Sequence, residues 1–156
     1  MIVAVTEPWA EGPLRAFIEE SRVQLALLLH PSGQVIGQSG FTRAMDVMSA
    51  CALAAAIHAS ASELGRQLEG KPFGVLHHAG VQRQLFLASA GTPAGTLLLL
   101  AVFDESASLG LVRLYFDEFR TRLAAVAPAT AGAAPVLNDQ FERDLNRNLA
   151  TLFGRA

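Results

Sequence analysis

Residues 96–119 read TLLLLAVFDESASLGLVRLYFDEF, and this stretch restricts the fold more than any other. Leu97 to Phe103 is apolar on both alternating faces, as in a strand at the middle of a sheet that is covered on both sides. The acid and hydroxyls of Asp104 to Ser108 stop that strand and cap the next element. Leu109, Val112, Phe116, Phe119, Leu123 and Val126 then recur at three- and four-residue spacing, the stripe of an amphipathic helix. A central strand that passes through a tight cap into a long helix requires layers of helix on both sides of a sheet.

The rest of the chain supplies those layers. Thr6, Glu7 and Pro8 form a helix start, and Leu14, Phe17 and Ile18 give that helix one apolar face to about Glu20. Val23, Leu25, Leu27 and Leu29 alternate as a strand with one buried face. Pro31, Ser32 and Gly33 turn the chain into a second strand, Gln34 to Gln38. From Thr42 to Gln67 the only breaker is Gly65, so this is the longest helix, with Ala50, Leu53, Ala54, Ile57, Ala61 and Leu64 as its core stripe. Another side, Ala52, Ala55, Ala59 and Ser62, carries unusually small side chains. Strands Phe73 to His78, Gln82 to Ala88 and Gly95 to Phe103 come next, with Gly91 to Gly95 as a hairpin turn. The expected fold is α/β (α+β): a five-stranded antiparallel sheet in a three-layer α/β/α sandwich, in the order α-β-β-α-β-β-β-α.

Residues 1–126 form that domain. Residues 127–137, rich in proline and alanine, read as a linker, and 138–156 as a separate amphipathic helix. Phe141, Leu145, Leu149 and Leu152 line one side of this last helix, and Glu142, Arg143, Asp144 and Arg147 the other. The apolar side suits a partner's groove or docking onto its own domain or a second copy.

Composition adds one constraint. Hydrophobic residues are 51% of the 156 and charged residues 17%, against roughly 25% charged in an average globular domain. A chain this size has more apolar surface than its own core hides, so self-association is expected. No apolar segment is expected to reach the roughly 20 residues of a spanning helix. The N-terminus has no basic n-region, and the single cysteine, Cys51, forms no internal disulfide. The expected setting is the cytoplasm. A formal charge of -2 gives no electrostatic reason to bind nucleic acid.

Reactive groups are sparse. Cys51 sits among alanines on a helix and reads as an inert buried thiol. His77 and His78 are neighbours in a strand, so they point to opposite faces and cannot chelate one metal. Asp104 and Glu105 read as cap chemistry. The segment GTPAGT has no Gly-Lys-Ser/Thr after it and is not a phosphate loop. No catalytic constellation and no cofactor are expected; the pattern is that of a binding module and not an enzyme.

The element order resembles the Roadblock/dynein-light-chain superfamily. Val102 to Phe116, VFDESASLGLVRLYF, is similar to its bacterial MglB branch at Phe103, Asp104, Ser106 or Ser108, Leu109, Gly110, Val112, Arg113 and Leu114. The alanine-rich helix ending Glu63-Leu64-Gly65, Phe73-Gly74 and the detached last helix extend the likeness. The familiar Ala-Gly-Asn of the long helix reads Cys51-Ala52-Leu53 here, and the region before the first helix is short.

The resemblance implies a homodimer joined by the third strand and the long helix, with Phe73, Val75, His77 and Ala56 at the interface. It implies a partner, a small Ras-like GTPase of the MglA type. Ala52, Ala55, Ala59, Ser62 and Arg66 would form the platform that receives it. It also implies that GTP hydrolysis is stimulated without an inserted arginine, leaving Arg43, Arg66 and Arg83 uninvolved, in the control of cell polarity or gliding motility. The alternatives are a Roadblock scaffold that binds without activating, and a small-molecule sensor on the similar profilin-like layers.

Overall fold

The computed structural model describes residues 7–43, 45–129 and 147. Helix α1 (Pro8–Ser21) has proline in its first turn, where an amide would lack a partner anyway, and stops at Arg22, whose φ of 63° is left-handed. The expected cap, Thr6, lies outside the described residues. Strand β1 (Leu25–Leu29) is buried at all five positions. The expected one-faced alternation is therefore corrected: β1 sits inside the sheet, with a helix layer over each face. Gly33, at φ 95°, closes the turn by donating its amide to His30 O at 2.8 Å, and β2 (Val35–Gly40) returns.

Helix α2 (Val47–Glu69) begins five residues later than expected. Asp46 is the reason: its carboxylate accepts the Ser49 amide at 3.2 Å and fixes the start there. Gly70 ends it. Strands β3 (Val75–Ala79), β4 (Gln84–Thr92) and β5 (Gly95–Phe103) come after it, then α3 (Leu109–Val126). The expected bounds of β5 and α3 match those observed. Their junction divides the labour. Asp104 accepts the Ser106 amide at 2.9 Å and its hydroxyl at 2.6 Å, closing the turn, while Ser108 caps the helix through the Leu111 amide at 3.1 Å.

The five strands pair antiparallel in the order β2-β1-β5-β4-β3, so β5 is central, as its sequence requires. Leu27 faces Leu100, and Phe86 faces Ala101. Helices α1 and α3 cover one face. There Phe17 meets Phe119 at 5.6 Å between ring centres, and Phe86 meets Phe116 at 5.3 Å; Leu97, Leu99 and Phe103 of β5 join this cluster. Helix α2 covers the other face, where Leu25, Leu27, Leu29, Leu98, Leu100 and Val102 meet Cys51, Ala54 and Ala55. On that side the sheet supplies the bulk and the helix supplies small side chains.

One expectation is revised here. Helix α2 has 23 residues and a mean hydropathy of 1.3 over its most apolar window, long and apolar enough to cross a membrane by length and composition alone. The expected linker lies almost wholly outside the described residues, as do the face Phe141, Leu145, Leu149 and Leu152 and the division at 137/138.

Candidate protein-interaction surface

Helix α2 meets the sheet through Cys51, Ala54, Ala55, Ser62 and Gly65. Short side chains bring the helix axis close, and Gly65 is the tightest point. A Cβ there would lie 2.5 Å from the Phe73 amide nitrogen and 2.6 Å from Lys71 O. The chain entering β3 thus rests on the helix backbone itself.

Small residues on the inner side leave large ones outside. Leu53 is 63% exposed, Leu64 54% and Leu68 73%, with Ile57 also exposed. They succeed one another at helical spacing and make one apolar stripe. This corrects the expected core stripe: of Ala50, Leu53, Ala54, Ile57, Ala61 and Leu64, Ala54 alone is buried. The stripe also has a direction. Ala52, roughly a quarter-turn or more from it, lies against the β1–β2 turn, where a Cβ on Gly33 would come within 3.2 Å of Ala52 Cα. The Leu53–Leu68 stripe therefore flanks the other side of α2, toward β4 and β3.

Strand β3 is the free edge on that side. Its five residues are almost all exposed. His77 bonds Gln84 at 2.7 Å and stacks on Phe103. Of the expected dimer residues, Val75 and His77 pair with Ala88 and Phe86, which places them on the α1/α3 face. Ala56 is exposed on α2, over the opposite face, and Phe73 is half-buried beside Gly65. These four do not share one face.

The expected platform divides. Ala52, Ala59 and Arg66 are exposed, but Ala55 and Ser62 lie on the sheet side, buried. They cannot present a surface to a partner, because the same shortness that suggested a platform seats the helix on its own sheet. Arg66 is held by Glu63 at 3.3 Å. Arg43 is exposed in the loop before α2, and Arg83 stands in the β3–β4 turn near Asp104. The exposed stripe was missed, and one signal would have found it: small residues at 51, 54, 55, 62 and 65 trace a continuous inner face ending in glycine.

Burial pushes the Cys51 thiol up to about 11, so it stays protonated at neutral pH. Burial likewise lowers His58. The hydroxyl and amide of Ser106 hold Asp104 below its ordinary value. His77 and His78 point to opposite faces, and among the described residues no group of three or more His, Cys, Asp or Glu is placed to hold a metal. A cleft of 380 Å³ has Leu25, Phe41, Met45 and Val102 as apolar lining and Gln24 and Arg83 as its polar groups.

Comparison with solved structures decides the fold. MglB from Myxococcus xanthus superposes with a TM-score of 0.70 at 24% identity, over 76% of this chain and 94% of that one. The gliding protein MglB of Thermus thermophilus gives 0.66 at 28% identity, over 76% and 87%. A Roadblock/LC7 domain from Streptomyces avermitilis gives 0.60 at 18%, over 76% and 95%. This chain has the MglB-like Roadblock fold. No protein-family model and no curated protein matches the sequence. Within this Roadblock fold, α2 carries the exposed apolar stripe and β3 stands at a free edge of the sheet.

Proposed function

We propose that this Roadblock protein is a homodimeric regulator that binds a small Ras-like GTPase of the MglA type and stimulates its GTP hydrolysis, in control of cell polarity or gliding motility. The observation that carries the reading is the stripe Leu53, Ile57, Leu64 and Leu68, exposed beside an unpaired strand edge in a fold shared with MglB. Each such side chain gains about 1.5–3 kcal/mol when fully buried, and a free edge is a template for another strand. A second copy satisfies both at once: β3 joins β3 across a two-fold axis, and the stripes of the two α2 helices meet.

Pairing of this kind leaves Ala52, Ala56, Ala59, Glu63 and Arg66 on the outer side of the helix pair. This is a revised platform, with Ala55 and Ser62 removed, Glu63 added and Ala56 moved over from the expected dimer interface. Its short side chains admit a close approach by the GTPase. The regulator acts by holding one conformation of its partner, and Arg43, Arg66 and Arg83 do not enter the nucleotide site. It works in the cytoplasm, as a separate Roadblock domain with a C-terminal helix whose face Phe141, Leu145, Leu149 and Leu152 takes a partner.

The test mixes the purified chain with a small Ras-like GTPase and GTP and measures phosphate release. Acceleration is expected; binding without acceleration would make the protein a scaffold, and no complex would remove both readings. Replacing Arg43, Arg66 and Arg83 singly by alanine is expected to leave stimulation in place. A loss approaching the roughly 10³-fold worth of an arginine finger would reverse that part.

A further inference from the structure

The sheet has a second edge, β2, and the chain touches it just before entering α1. Phe41 donates its amide to Gln24 O at 2.9 Å. By the alternation of an antiparallel ladder, Gly37 and Ser39 then turn their backbone groups to β1, and Gln38 turns its amide and carbonyl outward. No strand of the described residues lies on that side. Ile36 also presents its carbonyl there, and the Glu7 amide donates to it at 2.7 Å. Glu7 has extended backbone, φ -80° and ψ 125°, as a residue before proline prefers. One rung of a ladder on β2 is therefore already in place at Glu7.

Helix α1 fixes where the chain before Glu7 finds partners. It runs beside β2 in the same direction, with Ala10 and Leu14 at Gly37 and Ile18 at Gly40. A parallel course along β2 would carry residues 1–6 toward the β1–β2 turn, where Gln34 already gives its carbonyl to the His30 amide at 2.8 Å. An antiparallel course carries them past the outward groups of Gln38. It follows a cleft of 370 Å³ between Glu11 and Arg15 of the helix and Gly37, Gln38 and Ser39 of the strand. Glu11 and Arg15 pair with each other, so the helix wall asks for no charge from its occupant. Residues 1–6, MIVAVT, have no charged side chain, no glycine and no proline, and four of them are β-branched, a composition that suits a strand. Six extended residues span about 20 Å, enough to run from Ile36 past Gly40.

We propose that residues 1–6 add to β2 as a sixth, antiparallel strand and close that edge of the sheet. Glu7 opposite Ile36 sets the register: Val5 exchanges backbone bonds with Gln38, and Val3 follows toward Gly40. Ala4, between them, turns its amide to solvent. An open strand edge invites pairing with other chains. With β2 closed, β3 is the edge left to meet a second copy, and assembly stops at a closed pair instead of growing from both edges. That consequence rests on the homodimer reading; the strand itself does not.

The experiment follows amide hydrogen exchange in the full chain by NMR at two protein concentrations. The Gln38 amide is expected to be protected at both. Val5→Pro removes the bond from Val5 to Gln38 O and loosens the strand, and is expected to speed Gln38 exchange about tenfold, the worth of roughly one hydrogen bond. Ala4→Pro places the missing amide on the solvent side, where an edge strand accepts proline, and is expected to leave Gln38 protected. The amides of β5 report the fold and should exchange alike in all three proteins. Free exchange of Gln38 in the unsubstituted chain overturns the proposal, as does an equal response to the two prolines. Protection that disappears on dilution would give the strand to a second copy and overturn it too. A chain that stays monomeric with Gln38 still protected removes the homodimer reading and upholds the strand.

Discussion

Helices α2 and α3 flank the same sheet and use opposite rules. In α3 the large residues Val112, Phe116, Phe119 and Leu123 face inward and are buried. In α2 the inward positions are Cys51, Ala54, Ala55, Ser62 and Gly65, and the large residues point outward. A helix that fills the core with its own bulk is finished within one chain. A helix that lets the sheet supply the bulk has large side chains left over, and these stay exposed in the single chain. The contrast separates a helix that supplies the core's bulk from one that keeps its large side chains exposed, on one scaffold.

That contrast breaks or holds at particular residues. Phe119→Ala in α3 removes a fully buried ring that touches Phe17 and Phe116, and is expected to cost about 3–5 kcal/mol in urea unfolding. Gly65→Ala tests the tight seat of α2. Its Cβ collides with backbone at Phe73 and Lys71, an overpacking cost of about 1–3 kcal/mol, although alanine is the better helix former. A stabilised protein would mean that the helix is not seated there. Ser108→Ala removes the cap of α3, for a loss of about 1 kcal/mol.

Leu64→Ala is the sharpest test because its expected effect on the single chain is small, within about 0.5 kcal/mol for an exposed site. Its effect should appear instead as weaker self-association in sedimentation at graded concentrations. A loss as large as that of Phe119→Ala, independent of concentration, would return Leu64 to the core and erase the difference between the helices. The last prediction concerns pH. Asp104 has its native pKa lowered by Ser106, so its stabilising contribution is present above the ordinary carboxylate range. It is lost as pH falls through the lowered value. Asp104→Asn should lower stability at neutral pH and leave the acid end little changed, which flattens that part of the acid unfolding curve.

Most of the fold was legible in local pattern. The bounds of β5 and α3 could be read from residues 95–126 because the strand is apolar on both faces and the helix stripe is made of large side chains. The eight-element order came from turn residues and periodicity. The start of α2 was misplaced because Thr42 and Asp46 are both acceptable caps, and only the contact with the Ser49 amide distinguishes them. The interaction surface was half legible. Surplus apolar residues and the edge strand led to the expectation of association, but Ala55 and Ser62 were assigned to the outside of α2 and Leu53, Ile57 and Leu64 to its inside. A periodicity of about 3.6 marks that a helix has faces; it does not say which face turns inward when one is small and the other large.

By itself, then, the amino-acid order determined the elements, their sequence along the chain and the central place of β5, since these depend on alternation, spacing and capping within a few residues. Tertiary structure decided which side of α2 meets the sheet and where β3 leaves β4 exposed. Those outcomes depend on how closely two backbones approach, and that distance is set by side chains far apart in the chain, such as Gly65 against Phe73 and Gly33 against Ala52.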